Sequence, residues 1–237
     1  MTAIPSAERS LRRSGLWMAI TLVLMAGVYV RALAFTPEEA TQGLAQKIFY
    51  IHAPSAWVAF LAFGIVGVTS ALYLFLRDPR LDLFAASAVE VGTVFTTTVL
   101  VTGPIWGKEI WGAWWTWDAR LTLTLFLWFI YLAYLVLRTA VEEPGRRARY
   151  SAVLGILGAL LVPFIHVSVY LFRTLHPMPV VLRPGKTELP GSMLITLASS
   201  FIVFTMFFVA LVARRYAWAR LVDARAQREV ERADAAQ

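Results

Sequence analysis

The chain contains no cysteine among its 237 residues. That excludes a disulfide, a thiolate metal site and a Cys-x-x-Cys-His element for covalent attachment of a prosthetic group. Any such group must be held non-covalently. Charge is also scarce: Asp, Glu, Lys and Arg supply 16% of residues and apolar types 59%, against about 25% and roughly 45–50% in ordinary soluble domains. A soluble globular domain is therefore excluded. No Gly-x-x-x-x-Gly-Lys-Ser/Thr, His-Glu-x-x-His or Gly-x-Ser-x-Gly element occurs, so neither nucleotide hydrolysis nor zinc- or serine-dependent hydrolysis has support.

What is abundant is long uncharged sequence. Runs at 14–30, 48–76, 121–137, 150–172 and 189–213 carry no charge, and 83–107 carries only Glu90. A spanning helix needs about 20 mostly apolar residues, so six spans are expected, at about 14–33, 53–76, 84–104, 121–138, 150–171 and 191–213. The runs are too long and too continuously apolar for barrel strands, which leaves helices to satisfy the backbone in hydrocarbon. The predicted fold is all-α: a single polytopic membrane bundle of six transmembrane helices, with a tail at 214–237. Arg12-Arg13 and the apolar run behind them could pass for a signal peptide ending at Ala32-Leu33-Ala34, but the run exceeds the usual 7–15 residues or so of such a segment. It is read as the first span.

With the amino terminus inside, fifteen of the 22 basic residues fall on the cytoplasmic side, six of them arginines of the tail. The positive-inside rule then favours both termini in the cytoplasm. The net charge of +7 reads as contact with anionic headgroups and not with nucleic acid. The inner connections around Arg77-Asp-Pro-Arg80 and 141–149 look like simple connectors. The outer segments, about 35–51, 102–120 and 172–191, carry the residues with chemical potential.

Five of the nine tryptophans lie within the twelve positions of 106–117: Trp106, Trp111, Trp114, Trp115 and Trp117. If 111–118 is helical, Trp111, Trp114, Trp115 and Asp118 share a face through i, i+3, i+4 and i+7 spacing; Gly112 weakens that helix, and an irregular loop is the alternative. One reading is an interfacial aromatic belt. The other is a rigid apolar platform for a flat hydrophobic ligand. Asp118, just ahead of the fourth run, suits capping of the next helix.

Three histidines are present. His52 stands at the outer start of span two, with Pro54 expected in the first helical turn, and His176 stands just past span five. Both can face the tryptophan segment as a pair of imidazole ligands, although a lone histidine at a helix end is more often a cap. His166 is expected about 15 Å deeper if the helix continues, apart from the other two and paired with a neighbouring helix. Glu90 is either a functional intramembrane acid or a boundary residue that snorkels. Arg120, Arg173 and Arg183 are candidate anion partners at the outer rim or ordinary flanking anchors.

The stretch Trp-Gly-Ala-Trp-Trp-Thr-Trp-Asp-Ala-Arg-Leu-Thr at 111–122 resembles the WWD signature of the heme-handling membrane proteins of cytochrome c biogenesis. Together with Tyr50-Ile-His-Ala-Pro54, Thr102-Gly-Pro-Ile-Trp-Gly107 and Thr174-Leu-His176, it resembles the heme exporter protein C (CcmC) family over about 45–191. The resemblance implies non-covalent heme b with His52 and His176 as axial iron ligands. It implies further that Trp106, Trp111, Gly112, Trp114, Trp115, Trp117, Asp118 and Arg120 form the binding surface. It also implies a bacterial inner-membrane location with periplasmic functional loops, delivery of heme to the periplasmic chaperone CcmE, and an ABC-type complex with CcmA, CcmB and CcmD whose ATPase lies in the partners. Two features depart from the family pattern: Leu171-Phe172 stands where a Trp-Trp pair is frequent, and Pro177-Met-Pro follows His176. Competing readings are a larger CcmF- or CcsA-type heme-attachment protein, a heme b protein exchanging electrons with quinone, and a small-molecule permease.

Overall fold

The computed structural model describes residues 3–177 and 189–235. Six helices account for nearly all of them: α1 (Ala3–Val30), α2 (Phe49–Leu76), α3 (Pro79–Trp111), α4 (Ala119–Ala140), α5 (Pro144–Leu171) and α6 (Gly191–Asp234). Each is long and apolar enough to cross a membrane. The expected six-helix all-α bundle is thus observed. α6, at 44 residues, continues without a break through the segment read as a tail, because its arginines, alanines and glutamates are good helix formers.

The starts and stops follow local chemistry. Asp78 caps α3 by accepting from Arg80 N at 2.9 Å, and Pro79 occupies the first helical position, where its missing N–H costs nothing. Glu143 does the same for α5, accepting from the Gly145 and Arg146 amides at 2.7 Å each, again ahead of a proline. Asp118 Oδ1 accepts from Leu121 N at 3.0 Å and caps α4, as its position suggested. α1 widens into a π-type turn at Arg31–Phe35, and a 3-10 turn at Leu44–Ile48 precedes α2.

Connections of two and three residues, at 77–78 and 141–143, join helices at one end of the bundle; the segments 36–48, 112–118 and 172–190 join them at the other. α2 packs against α3, α5 and α6, α4 against α5 and α3, and α1 runs along α6. The core is built from Val58, Phe63 and Val66 of α2, Val89 and Phe95 of α3, Tyr131 of α4 and Phe204 and Phe208 of α6. Phe63 stacks on Tyr131 with centroids 3.6 Å apart. Gly158 of α5 makes this possible, since a Cβ there would stand 2.7 Å from the Tyr131 ring. Small residues at such crossings let backbones approach where no hydrophobic drive separates helix from lipid.

Glu90 has a partner. Arg215 of α6 grips it with two bonds, Nη2 to Oε1 at 2.6 Å and Nε to Oε2, eleven residues or about 16 Å into α3.

Candidate functional site

α2 starts at Phe49, earlier than the span boundary read from the sequence. His52 therefore sits within the first turn and Pro54 inside the helix, where its ring leaves the Tyr50 carbonyl without the usual intrahelical donor. The expectation of Pro54 in the first turn is corrected accordingly. The earlier start turns His52 toward α3, where its Nδ1 lies 2.9 Å from Thr102 Oγ1.

Proton bookkeeping at that contact fixes the tautomer. A threonine hydroxyl has a single proton, and Thr102 gives it to the Thr98 carbonyl at 2.7 Å. Its lone pair must therefore accept from Nδ1–H of His52. That leaves Nε2 of a neutral ring without a proton, the state in which imidazole binds a metal. Trp106 meets the same ring edge-on at 5.7 Å, and is itself held by donating Nε1–H to Gln42 Oε1 at 3.2 Å. Gly103 stands close enough that a Cβ would come within 3.2 Å of His52 Cε1.

The second histidine follows the same logic. Nδ1 of His176 lies 2.9 Å from the Pro177 carbonyl. A carbonyl can only accept, so Nδ1 carries the proton and Nε2 is bare. Burial, reinforced by the Arg120 cation, pushes the His176 pKa down to about 4. The ring is neutral at physiological pH.

Asp118 joins the two halves of the site. While Oδ1 caps α4, Oδ2 accepts from Thr174 Oγ1 at 2.8 Å, and that hydroxyl accepts from His176 N at 3.0 Å. A continuous chain of bonds thus runs from the tryptophan segment to the His176 backbone.

The segment 112–118 is not helical, and the shared face expected for Trp111, Trp114, Trp115 and Asp118 is not formed. α3 stops at Trp111 because Gly112 adopts φ 72°, a left-handed conformation open to glycine at little cost. The Gly112 carbonyl accepts from Lys108 Nζ at 3.0 Å. The reversal divides the indoles. Trp106, Trp111 and Trp115 turn inward, whereas Trp114 and Trp117 stay 60% and 77% exposed.

The inward group surrounds a cavity of about 230 Å³ that His52, His176, Trp106, Trp111, Trp115 and Arg120 all line. Two of the lining residues, Arg120 and Trp115, each carry a buried donor, Nη1 and Nε1, with no protein hydrogen-bond partner, and a buried donor left so costs on the order of 1–3 kcal/mol, more when charged. A larger groove of about 860 Å³ shares His52, Trp106, Arg120 and His176, and continues between α2 and α6.

His166 lines this groove together with His52 and His176, but the continuous helix on which its expected depth depended is not formed. α5 ends at Leu171, so only five residues, about 8 Å of rise, separate His166 from the helix end. Arg173 is exposed, as are Leu171 and Phe172, at 69% and 58%. Arg183, Lys186 and the Met178-Pro179 part of the second-ligand loop lie outside the described residues. Sequence reasoning did not assign Thr102, Thr174 or Gln42 a role. The first two stand inside the quoted motifs Thr102-Gly-Pro and Thr174-Leu-His176, the signal that could have marked them.

The family model of heme exporter protein C matches residues 4–232. The heme exporter protein C of Bradyrhizobium diazoefficiens is 39% identical over 195 residues, 82% of this chain and 74% of that protein. That of Haemophilus influenzae is 34% identical over 203 residues, 86% and 82% of the two chains. That of Escherichia coli K12 is 35% identical over 161 residues, covering 68% and 66%. A match along nearly the whole length, with the histidines and tryptophans gathered at one end of a six-helix bundle, places this chain in the heme exporter protein C family.

Proposed function

We propose that the chain binds heme b non-covalently, with His52 and His176 as axial iron ligands, and hands it to the periplasmic chaperone CcmE during c-type cytochrome biogenesis. One observation carries the reading: two histidines on separate elements line one cavity, each with Nδ1 protonated and Nε2 bare. A histidine that only hydrogen-bonds can hold the same tautomer, so it is the convergence of two such rings on one cavity that favours ligation. Two bare imidazole nitrogens and a half-buried cation lining the same cavity suit an iron porphyrin, the iron taking the nitrogens and a propionate taking Arg120.

In this reading the residues divide the work. Thr102 and the Pro177 carbonyl hold the two rings in the ligating tautomer. Asp118 and Thr174 fix the loop that brings His176 over the cavity. Trp106, Trp111 and Trp115 supply apolar walls, and Gly112 turns the chain so that Trp115 reaches the cavity. Trp114 and Trp117, facing out, are the surface on which the chaperone approaches the porphyrin edge. Both termini lie in the cytoplasm and the site faces the periplasm of the bacterial inner membrane, in keeping with the arginine bias. Family membership supports an ABC-type assembly with CcmA, CcmB and CcmD, in which ATP hydrolysis belongs to the partner subunits and this chain acts as a delivery protein and not as an enzyme.

The test is the absorption spectrum of the purified protein beside His52→Ala/His176→Ala. The parent is expected to show a bis-histidine heme spectrum that the double variant loses. A double variant with an unchanged spectrum would refute the ligand assignment.

A further inference from the structure

The larger groove is not explained by a single binding position at the outer end. It begins beside Trp106, His52 and His176 and reaches Ser14 of α1 and Ala213 of α6. Along α6 it runs from Phe201 to Ala213, twelve residues or about 18 Å of helix, so it continues well below the outer histidines. Its volume of about 860 Å³ falls within the 300–1,000 Å³ or so of pockets that take ligands of cofactor size.

The lining points to one kind of occupant. Trp57 and Phe60 of α2 and Phe201 of α6 present flat apolar surface, and Trp57 donates Nε1–H to Thr205 Oγ1 at 3.2 Å, so its polar atom is already satisfied across the groove. An acyl chain would require nothing more than such a surface. The groove also holds a third imidazole, His166, which lies apart from the Thr102 and Asp118 networks and makes its ring contact with Tyr170 at 6.4 Å. A metal ligand within an apolar channel that opens onto the two outer imidazoles fits an iron porphyrin better than a lipid.

We propose that the groove between α2 and α6 is a second porphyrin position, where His166 ligates the iron of a heme drawn from the bilayer before it passes to His52 and His176. This rests on the heme-binding reading above and extends it to the route by which the cargo arrives. The exchange requires no redox step: an iron held five-coordinate by His166 would lose that Fe–N bond and gain two, to His52 and His176, the second filling its vacant axial position.

The test uses the full chain in lipid nanodiscs, with hemin supplied from phosphatidylcholine vesicles and followed by its Soret band. His166→Ala is expected to slow loading at least tenfold while leaving the final spectrum that of the parent. His166→Asn, which keeps polarity and volume but ligates iron poorly, should behave alike and guards against a folding defect. His52→Ala/His176→Ala is expected to retain a mono-histidine hemin band that disappears when His166→Ala is added. A double variant that binds no hemin, or one whose band His166→Ala leaves unchanged, overturns the proposal; in the second case lipid is the groove's occupant. A double variant that keeps the complete bis-histidine spectrum refutes the outer-site reading instead, so the two failures are distinguishable.

Discussion

In the half of the bundle with the short connections, cations meet carboxylates. Arg138 of α4 is bidentate to Asp82 of α3 at 2.6 and 2.9 Å, Arg215 grips Glu90, and Arg80 and Arg146 pair with the capping residues Asp78 and Glu143. At the end with the long connections, cations are held by neutral oxygen. Lys47 donates to the carbonyls of Ala32 at 2.8 Å, Pro37 at 3.2 Å and Thr36, Arg31 donates to Thr196 Oγ1 at 3.1 Å, and Arg120 keeps a buried nitrogen without a protein partner. The Asp82–Arg138 and Glu90–Arg215 pairs fasten α3 to α4 and α6, although Arg214 donates to the Leu11 carbonyl and Arg147 Nε is buried without a protein partner in the same half. Lys47, Arg31 and Arg120 make no direct carboxylate ion pair among the described residues, so more of their attraction for an anion is kept, and that is where both imidazoles stand.

The sharpest way to break this contrast is to remove a carboxylate from the paired end. The Arg138 and Asp82 side chains are only 15% and 13% exposed, so Asp82→Ala leaves a nearly dehydrated guanidinium without its counter-ion. A loss of about 3–5 kcal/mol is expected, read as a fall in unfolding temperature in detergent, while protein that remains folded keeps its heme spectrum. Asp82→Leu/Arg138→Leu should recover most of that loss, because an apolar pair avoids the desolvation cost altogether. If Asp82→Ala instead alters the heme spectrum at unchanged stability, the division between the two ends is wrong.

The opposite pattern is expected at the outer end. Thr102→Val removes the acceptor that fixes His52, and Thr174→Val cuts the link between Asp118 and His176, each with almost no change in volume. Groups that orient a metal ligand from behind are worth about 10–100-fold in affinity. Hemin dissociation constants should rise by that factor in each variant, with unfolding temperatures within a few degrees of the parent. A fall in stability as large as that of Asp82→Ala would make these hydroxyls part of the bundle's framework instead.

A smaller effect separates the two ends by pH. The His176 pKa stands near 4, against an ordinary value of 6.5. Between those values the unfolded chain binds a proton that the folded chain refuses, so this group lowers stability as pH falls from about 6.5 toward 4. Ligation needs the neutral ring, so hemin affinity should hold steady from pH 8 to about 5 and drop only as pH passes through about 4. Arg120→Gln removes a cation that depresses the titration, and the drop should then begin at a higher pH. An unmoved midpoint would mean that Arg120 does not act on His176, whatever it does to overall affinity.

How much of this was legible in the sequence depends on the length scale of the cause. The six helices were readable because each is specified by a run of 17 or more residues with no charge, or with Glu90 alone, and Asp118 stands where a cap is needed. The two histidines could be assigned to one end because helix alternation alone fixes it. The arrangement of the tryptophans could not, since a single φ at Gly112 decides whether Trp114 continues a helical face or turns outward. The proton arrangement of the imidazoles was likewise hidden. It depends on Thr102 and His52, fifty residues apart, meeting at 2.9 Å, and on Thr102 having spent its only proton on Thr98. The depth of His166 below His176 was conditional on a helix that runs on to His176, and that helix ends at Leu171, a stop that no proline or glycine marks in the sequence.

The smallest effect should come from an ion pair that resembles the strong ones on paper. Glu8 of α1 and Arg225 of α6 approach to 3.6 Å with side chains 49% and 56% exposed. Both extend beyond the apolar parts of their helices, and water screens the attraction, so an exposed pair of this kind contributes about 0–1 kcal/mol. Arg225→Ala should therefore shift the unfolding temperature by no more than a degree or two and leave hemin affinity unchanged, and what remains of the contribution should vanish in high salt. A larger loss would mean that the projecting parts of α1 and α6 depend on this contact to stay together. It is then dehydration within the bundle, and not the mere presence of opposite charges, that would have to be abandoned as the property distinguishing the fastening end.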